Sequence, residues 1–150
     1  MTEDIVRSID ISAPPARVWA ALIDSGAFGT WFRARFDGPF EVGRRVEARM
    51  TIPEHADVAW HVTVQEIVPE RRFVFTWPHA DEKQRPLGDA ETRVAFTLEP
   101  VPTGTRVTVT ESGFDALPPE ARADARRRNE GGWEWQMKNL AQHVAPAPAA

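Results

Sequence analysis

The middle of the chain alternates apolar and polar residues with a period of two. This alternation is typical of antiparallel strands that bury one face and expose the other to water. Turn-forming residues such as Asp37-Gly38 and Pro102-Thr103-Gly104 separate the stretches. The pattern predicts strands whose apolar members are Val46, Ala48, Met50 and Ile52; Val58, Trp60, Val62 and Val64; Phe73, Phe75 and Trp77; Val94, Phe96 and Leu98; and Val107 and Val109.

Both ends of the chain depart from this period. A β-branched strand is predicted over Asp4 to Ser12, followed by a short helix over Ala16 to Ile23 and a helical turn that holds Phe28. Near the other end, apolar residues recur at the spacing of one helix face, and Gly131-Gly132 just before them indicates a kink, a close approach or the start of that helix. The residues of this face are Trp133, Met137, Leu140, Ala141 and Val144.

The order of elements predicts an α+β architecture. A sheet with one apolar face must be covered, and only the C-terminal helix is long enough to cover it. We therefore expect a curved antiparallel sheet of six to seven strands wrapped round that helix, with two short helices after the first strand. The 150 residues suffice for one core, so a single domain is expected over 1–150, with its core over about 5–144 and a flexible tail over 145–150.

Composition narrows the possible functions. The chain has no cysteine, which excludes disulfides and thiolate metal sites. Its net charge of −4 argues against a nucleic-acid partner, and no apolar run is long enough for membrane insertion. The first residues lack the pattern of a secretory signal, so a cytoplasmic location is expected. Six Trp and eight Phe without any Tyr indicate either a very full core or a cavity lined with rings.

Several short motifs together resemble a known superfamily. In order along the chain they are Ile11-x-Ala13-Pro14-x-x-x-Val18-Trp19-x-x-Leu22-x-Asp24, Trp31, Phe40-x-Val42-Gly43, Val64-x-Glu66-Ile67-x-Pro69-x-x-Arg72-Phe73, Thr76-Trp77, Gly104-Thr105-x-Val107-x-Val109 and Gly132-Trp133 with Leu140. The set is similar to the SRPBCC superfamily, the START or birch-pollen-allergen type with a helix-grip fold. Within it, the chain resembles the branch of the activators of the 90-kDa heat-shock protein ATPase (AHSA-type).

The resemblance implies a deep apolar cavity between the sheet and the C-terminal helix. Trp31 and Phe36 are expected to close one end of this cavity. The alternative is that all of these side chains simply fill the core. The inward-facing candidates for ligand binding are Met50, Trp60, Val62, Phe75, Trp77, Val94, Phe96, Val109, Trp133 and Met137.

Two carboxylates are candidates for chemistry inside such a cavity. Glu111 continues the inward alternation of Val107 and Val109, so it either binds a ligand, with its pKa raised by burial, or lies beyond the strand end in water. Glu66 shares the parity of Val64, but Ile67 beside it indicates a bulge that would turn it outward. No metal-binding spacing, cofactor motif or nucleophile motif is present.

The histidines give weaker signals. His61 lies on the polar parity of its strand and is expected at the surface, and His79 is expected in a turn after Pro78.

Three hypotheses for the function follow. The first is a binding protein for an apolar or amphipathic small molecule, acting as a carrier or sensor without a cofactor. The second is an enzyme of the cyclase, aromatase or hydrolase kind that uses Glu111 or Glu66, and the third is a partner of a chaperone. A homodimer is a further expectation if Trp135, on the opposite side of the helix from Trp133, marks a contact surface rather than packing under a loop.

Overall fold

A computed structural model describes residues 3–52, 59–80 and 85–144. These residues form seven strands, three α-helices and one short 3-10 turn. In chain order the elements are β1 (Ile5–Ile11), α1 (Pro15–Ile23), α2 (Ser25–Phe32), β2 (Ala34–Phe36), β3 (Arg45–Met50), β4 (Ala59–Val68), β5 (Arg72–Ala80), β6 (Pro86–Val101), β7 (Gly104–Ser112), the 3-10 turn (Phe114–Ala116) and α3 (Arg122–Val144). The tail expected over 145–150 lies outside the described residues.

All strands belong to one antiparallel sheet in the order β1-β7-β6-β5-β4-β3-β2. Strands β2 to β7 follow one another as a meander, and β1 pairs with β7 at the far edge. Such a meander needs only short connections, which is why turn residues are so frequent between the alternating stretches. The predicted α+β helix-grip fold, with its two short helices after the first strand, is confirmed.

Two strands are longer than the alternation predicts. Strand β5 continues through Pro78 to Ala80, and β6 begins at Pro86 and pairs with this extension. Proline cannot donate a ladder hydrogen bond, and the register accordingly shifts between Pro78 and Ala80. His79 therefore lies within a strand and is buried, and the prediction that places it in a turn is wrong.

A bulge in β4 decides the direction of Glu66. The pairing with β5 shifts between Val64 and Glu66, so Ile67 packs against the core. Glu66 is half-exposed, and its Oε2 lies 3.3 Å from Nε of Arg72. Its carboxylate therefore forms a surface ion pair and stays outside the interior.

Helix α2 fills one end of the interior with aromatic rings. It packs so closely on β2 that a Cβ at Gly29 would lie 2.3 Å from the carbonyl oxygen of Ala34. This approach places Phe28, which is 1% exposed, against the sheet. Its ring centroid lies 4.5–6.4 Å from those of Trp31, Phe32, Phe36, Phe40, Phe73, Phe75 and Phe96.

Helix α3 spans the inner face of the sheet and runs without a break through Gly131 and Gly132. These glycines therefore do not mark its start, which lies at Arg122. A Cβ at either glycine would meet nothing within 4 Å, so no close approach requires them. Within the described part of the chain, no helix is both long and apolar enough to cross a membrane.

Candidate functional site

A cavity of about 460 Å³ lies between the middle of α3 and the inner face of β3, β4 and β5. Most of its wall is aromatic or aliphatic, and a few polar side chains interrupt this surface. The lining residues are Phe32, Met50, Ile52, Trp60, Trp77, Pro78, His79, Arg128, Asn129, Gly132, Trp133, Trp135 and Gln136.

The alternation of the strands finds only part of this wall. Among the expected lining residues, the structure places Met50, Trp60, Trp77 and Trp133 at the cavity. The others pack into the closed core, because α2 inserts its rings between the sheet and α3 and occupies the space there. Phe36 is partly buried against this core and lines a smaller pocket beside β2. The residues that are core rather than cavity wall are Trp31, Val62, Phe75, Val94, Phe96, Val109 and Met137.

Helix α3 contributes a second face that the hydrophobic pattern misses. Asn129, Gly132 and Gln136 stand at the helical spacing that also includes Trp133, and all four line the cavity. The spacing is present in the sequence, but a search for apolar helix faces misses it because Asn129 and Gln136 are polar. Trp135 also borders the cavity and is 45% exposed, which places it at the mouth.

Behind the cavity wall lies a fully buried carboxylate. Glu111 on β7 is 0% exposed, in agreement with the inward alternation of its strand. Five side chains from β5, β6 and α3 surround it as hydrogen-bond donors. They are Trp77 Nε1 at 2.9 Å, His79 Nε2 at 3.1 Å, Thr92 Oγ1 at 2.5 Å, Asn129 Nδ2 at 2.9 and 3.0 Å, and Trp133 Nε1 at 2.9 Å.

These donors reverse the expected pKa shift of Glu111. Burial is the largest single influence and raises the pKa of the carboxyl group, but the hydrogen bonds from His79, Thr92, Trp77 and Asn129 together outweigh it. The pKa of Glu111 is therefore lowered, and the expectation of a raised pKa is wrong. At neutral pH the group is an ionised acceptor.

The geometry also determines what Glu111 can do. Both of its oxygens already accept at least two hydrogen bonds, so no lone pair is left for a substrate. Four of its five donors, namely Trp77, His79, Asn129 and Trp133, line the cavity themselves. Glu111 thus orients the wall of the cavity from behind and does not itself contact the space inside.

The described part of the cavity wall carries a positive charge and no negative one. Among the described lining residues, only Arg128 has a permanent charge. Its Nη2 donates to the carbonyl oxygen of Ala80 at 2.9 Å, and its Nε lies 3.2 Å from Oδ2 of Asp124. These two contacts hold the guanidinium at the rim of the cavity, next to the end of β5.

A histidine–glutamate pair also exists on the opposite face of the sheet. His61 lies between the inward-facing Trp60 and Val62, and its Nε2 is 2.9 Å from Oε2 of Glu91. His61 is half-buried rather than fully exposed, and it is not part of the cavity wall.

Comparisons with known proteins place the chain in a family. The family model described as "Activator of Hsp90 ATPase homolog 1-like protein" matches residues 12–145. The chain belongs to this family. The match spans nearly the whole described fold and confirms the resemblance to the AHSA branch of the SRPBCC superfamily.

Solved structures show the same fold. Protein MLL2253 from Mesorhizobium loti is 26% identical, with a TM-score of 0.76, over 95% of this chain and 96% of that chain. Protein CV1439 from Chromobacterium violaceum is 23% identical, with a TM-score of 0.75, over 96% and 98% of the two chains. DynU16, a protein in the dynemicin biosynthetic locus, is 21% identical, with a TM-score of 0.72, over 96% of this chain and 48% of that chain. No curated protein matches the chain.

Proposed function

We propose that this AHSA-type protein binds an amphipathic, largely apolar small molecule in the cavity between α3 and the sheet. The observation that carries the proposal is the wall itself, in which aromatic rings surround an open space of about 460 Å³. Pockets for small molecules have this size and this combination of apolar walls with few polar groups.

The polar groups indicate which end of the ligand lies where. The apolar body would contact rings such as Trp60, Trp77 and Trp133, and its polar end would meet Arg128 at the rim. No carboxylate of the described residues lines the cavity, because Glu111 is sealed behind its donors. An anionic or neutral hydrogen-bond acceptor therefore fits the rim better than a cation does.

A hydrogen-bond donor in the cavity wall also favours a ligand that carries an acceptor. Trp60 Nε1 is shielded from water and has no hydrogen-bond partner among the described residues. An unpaired buried donor costs about 1–3 kcal/mol, which a ligand oxygen would recover when the indole ring turns toward it.

A fluorescent amphiphile tests the proposal. We expect 1-anilinonaphthalene-8-sulfonate, with its apolar rings and single anionic group, to bind saturably with one molecule per chain. Gly132→Leu should abolish this binding, because Gly132 lines the cavity, its Cβ would meet no atom within 4 Å, and the larger side chain would occupy the space of the ligand.

Gly131→Leu is the matched control. It changes the same residue type one position away, its Cβ also meets nothing within 4 Å, and it does not line the cavity. Dye binding that survives Gly132→Leu, or that Gly131→Leu removes equally, would contradict the proposed site. Native mass spectrometry of the protein from its own host would then show whether a natural ligand accompanies the wild type and is lost from Gly132→Leu.

A further inference from the structure

Among the described residues, His79 is the one titratable side chain that both lines the cavity and contacts the buried carboxylate. It lies on β5, is 9% exposed, and forms part of the cavity wall. Its Nε2 lies 2.7 Å from Thr92 Oγ1 and 3.1 Å from Glu111 Oε2. Both contacts use the same nitrogen of the ring.

The hydrogen-bond network determines which nitrogen carries the proton. An ionised carboxylate only accepts, so the hydroxyl of Thr92, 2.5 Å from Glu111 Oε2, donates its hydrogen to that oxygen. Thr92 Oγ1 is then an acceptor for Nε2, as is Glu111. Nε2 therefore faces two acceptors and must hold a hydrogen. The neutral ring consequently carries its free lone pair on Nδ1.

No described residue uses that lone pair. Nδ1 of His79 has no hydrogen-bond partner in the described part of the chain, while the ring borders the cavity. The negative Glu111 accepts a hydrogen bond from the other ring nitrogen, Nε2, and so fixes the orientation of the ring and of Nδ1. Among the described lining residues there is no serine, threonine, lysine or cysteine, so the described wall offers His79 as a base with no hydroxyl, amine or thiol nucleophile beside it.

We propose that His79 transfers a proton to or from a molecule bound in the cavity, with Glu111 as its positioning residue. This inference rests on the proposed function and extends it from binding to chemistry. The substrate class is a planar, largely apolar molecule with an acidic C–H or O–H, such as a carbon next to a carbonyl group.

The step balances without a cofactor. Nδ1 forms a bond to the proton, the C–H or O–H bond of the substrate breaks, and the electron pair stays on the substrate as an enolate or phenolate. Arg128, which lines the same cavity, would stabilise the negative charge that develops. The imidazolium returns the proton to the same atom or to another atom of the product.

The Kemp elimination of 5-nitrobenzisoxazole tests the step with a planar aromatic probe. A base removes the proton on C3 of this probe, the N–O bond breaks, and coloured 2-cyano-4-nitrophenolate forms. We expect saturable turnover about 100-fold faster than with the same concentration of free imidazole. His79→Gln should return the rate to that of the solution reaction.

His61→Gln is the matched control. His61 also contacts a glutamate through Nε2, at 2.9 Å, but it lies on the other face of the sheet and outside the cavity. This variant should retain the full rate. Equal loss in the two variants, or turnover no faster than free imidazole, would overturn the proposal.

A measurement without any probe tests the proton's position independently. Nitrogen-15 NMR of the wild-type imidazoles should show His79 as the tautomer with hydrogen on Nε2 and a bare Nδ1. A hydrogen on Nδ1 of the neutral ring would overturn the proposal whatever the probe does. Glu111→Gln should mix the two tautomers and lower kcat more than it changes KM, which a purely structural role would not produce.

The two proposals fail separately. If the naphthalene sulfonate binds the wild type and not Gly132→Leu, while the elimination shows no acceleration, the binding function stands and the proton transfer is wrong. If the dye does not bind at the cavity but His79 still accelerates the elimination, the cavity serves chemistry on smaller molecules and the proposed binding of an amphipathic molecule is wrong.

Discussion

The interior of this protein has two aromatic ends that are built differently. Around Phe28, eight rings including its own pack against one another, and Phe28 itself borders neither the cavity nor the smaller pocket beside β2. Around Glu111, the rings of Trp77 and Trp133 stack 5.6 Å apart, and each donates its N–H to the carboxylate. The first end is closed and the second borders a cavity.

The difference shows how a small domain can keep a space open. Phenylalanine rings carry no hydrogen-bonding group that would hold them apart, so they pack together until the space between them is filled. A hydrogen bond from an indole N–H is directional, and Glu111 holds several wall residues at fixed angles from behind. The wall residues that Glu111 holds therefore keep their position although no side chain fills the space in front of them.

The closed end should be the more sensitive to truncation. We expect Phe28→Ala to lower the free energy of unfolding by about 3–5 kcal/mol, because it leaves a cavity among rings that cannot collapse. Urea unfolding at neutral pH measures this change. Phe36→Ala, at a half-buried ring of the same cluster, should cost less, and an equal cost would mean that Phe28 is not the centre of the packing.

The stability that the open end around Glu111 contributes should instead depend on pH. The pKa of Glu111 is lower in the folded protein than in the unfolded chain, so the unfolded state binds more protons at acidic pH. The contribution of Glu111 to stability is therefore complete above the ordinary glutamate pKa of about 4.3 and is lost as the pH falls through the lower folded value.

Urea unfolding from pH 7 down to about pH 3 measures this loss. Glu111→Gln should be about 2–3 kcal/mol less stable than the wild type at neutral pH, because an amide cannot satisfy all five donors. Its stability should fall less steeply below pH 4.5 than that of the wild type, and parallel curves would mean that Glu111 does not titrate as described.

The smallest effect concerns the helix that joins both ends. Gly131→Ala and Gly132→Ala should each raise the free energy of unfolding by about 0.5–1 kcal/mol, because both lie inside α3 and a Cβ meets no atom there. Thermal unfolding measures the gain. Gly29→Ala in α2 is the opposite case and should destabilise the protein, since its Cβ would collide with the carbonyl oxygen of Ala34.

Local pattern accounts for most of the fold and for one half of the site. The period-two stretches lead to the sheet, and the inward alternation from Val107 through Val109 leads to the buried Glu111. The same reasoning misses His79, because Pro78 is typical of a strand end. Strand β5 continues past this proline only because β6 pairs with the extension, and that partner lies some ten residues further along the chain.

The sequence by itself determines the fold class, the family and the face of each strand, since these depend on spacing between neighbouring residues. Tertiary structure decides the rest, because it sets the distances between remote groups. It places Phe28 where a continuous cavity was expected, and it surrounds Glu111 with donors from β5, β6 and α3 that lower its pKa instead of raising it. The sum of burial and hydrogen bonding around one carboxylate depends on this assembly, and no local pattern in the chain contains it.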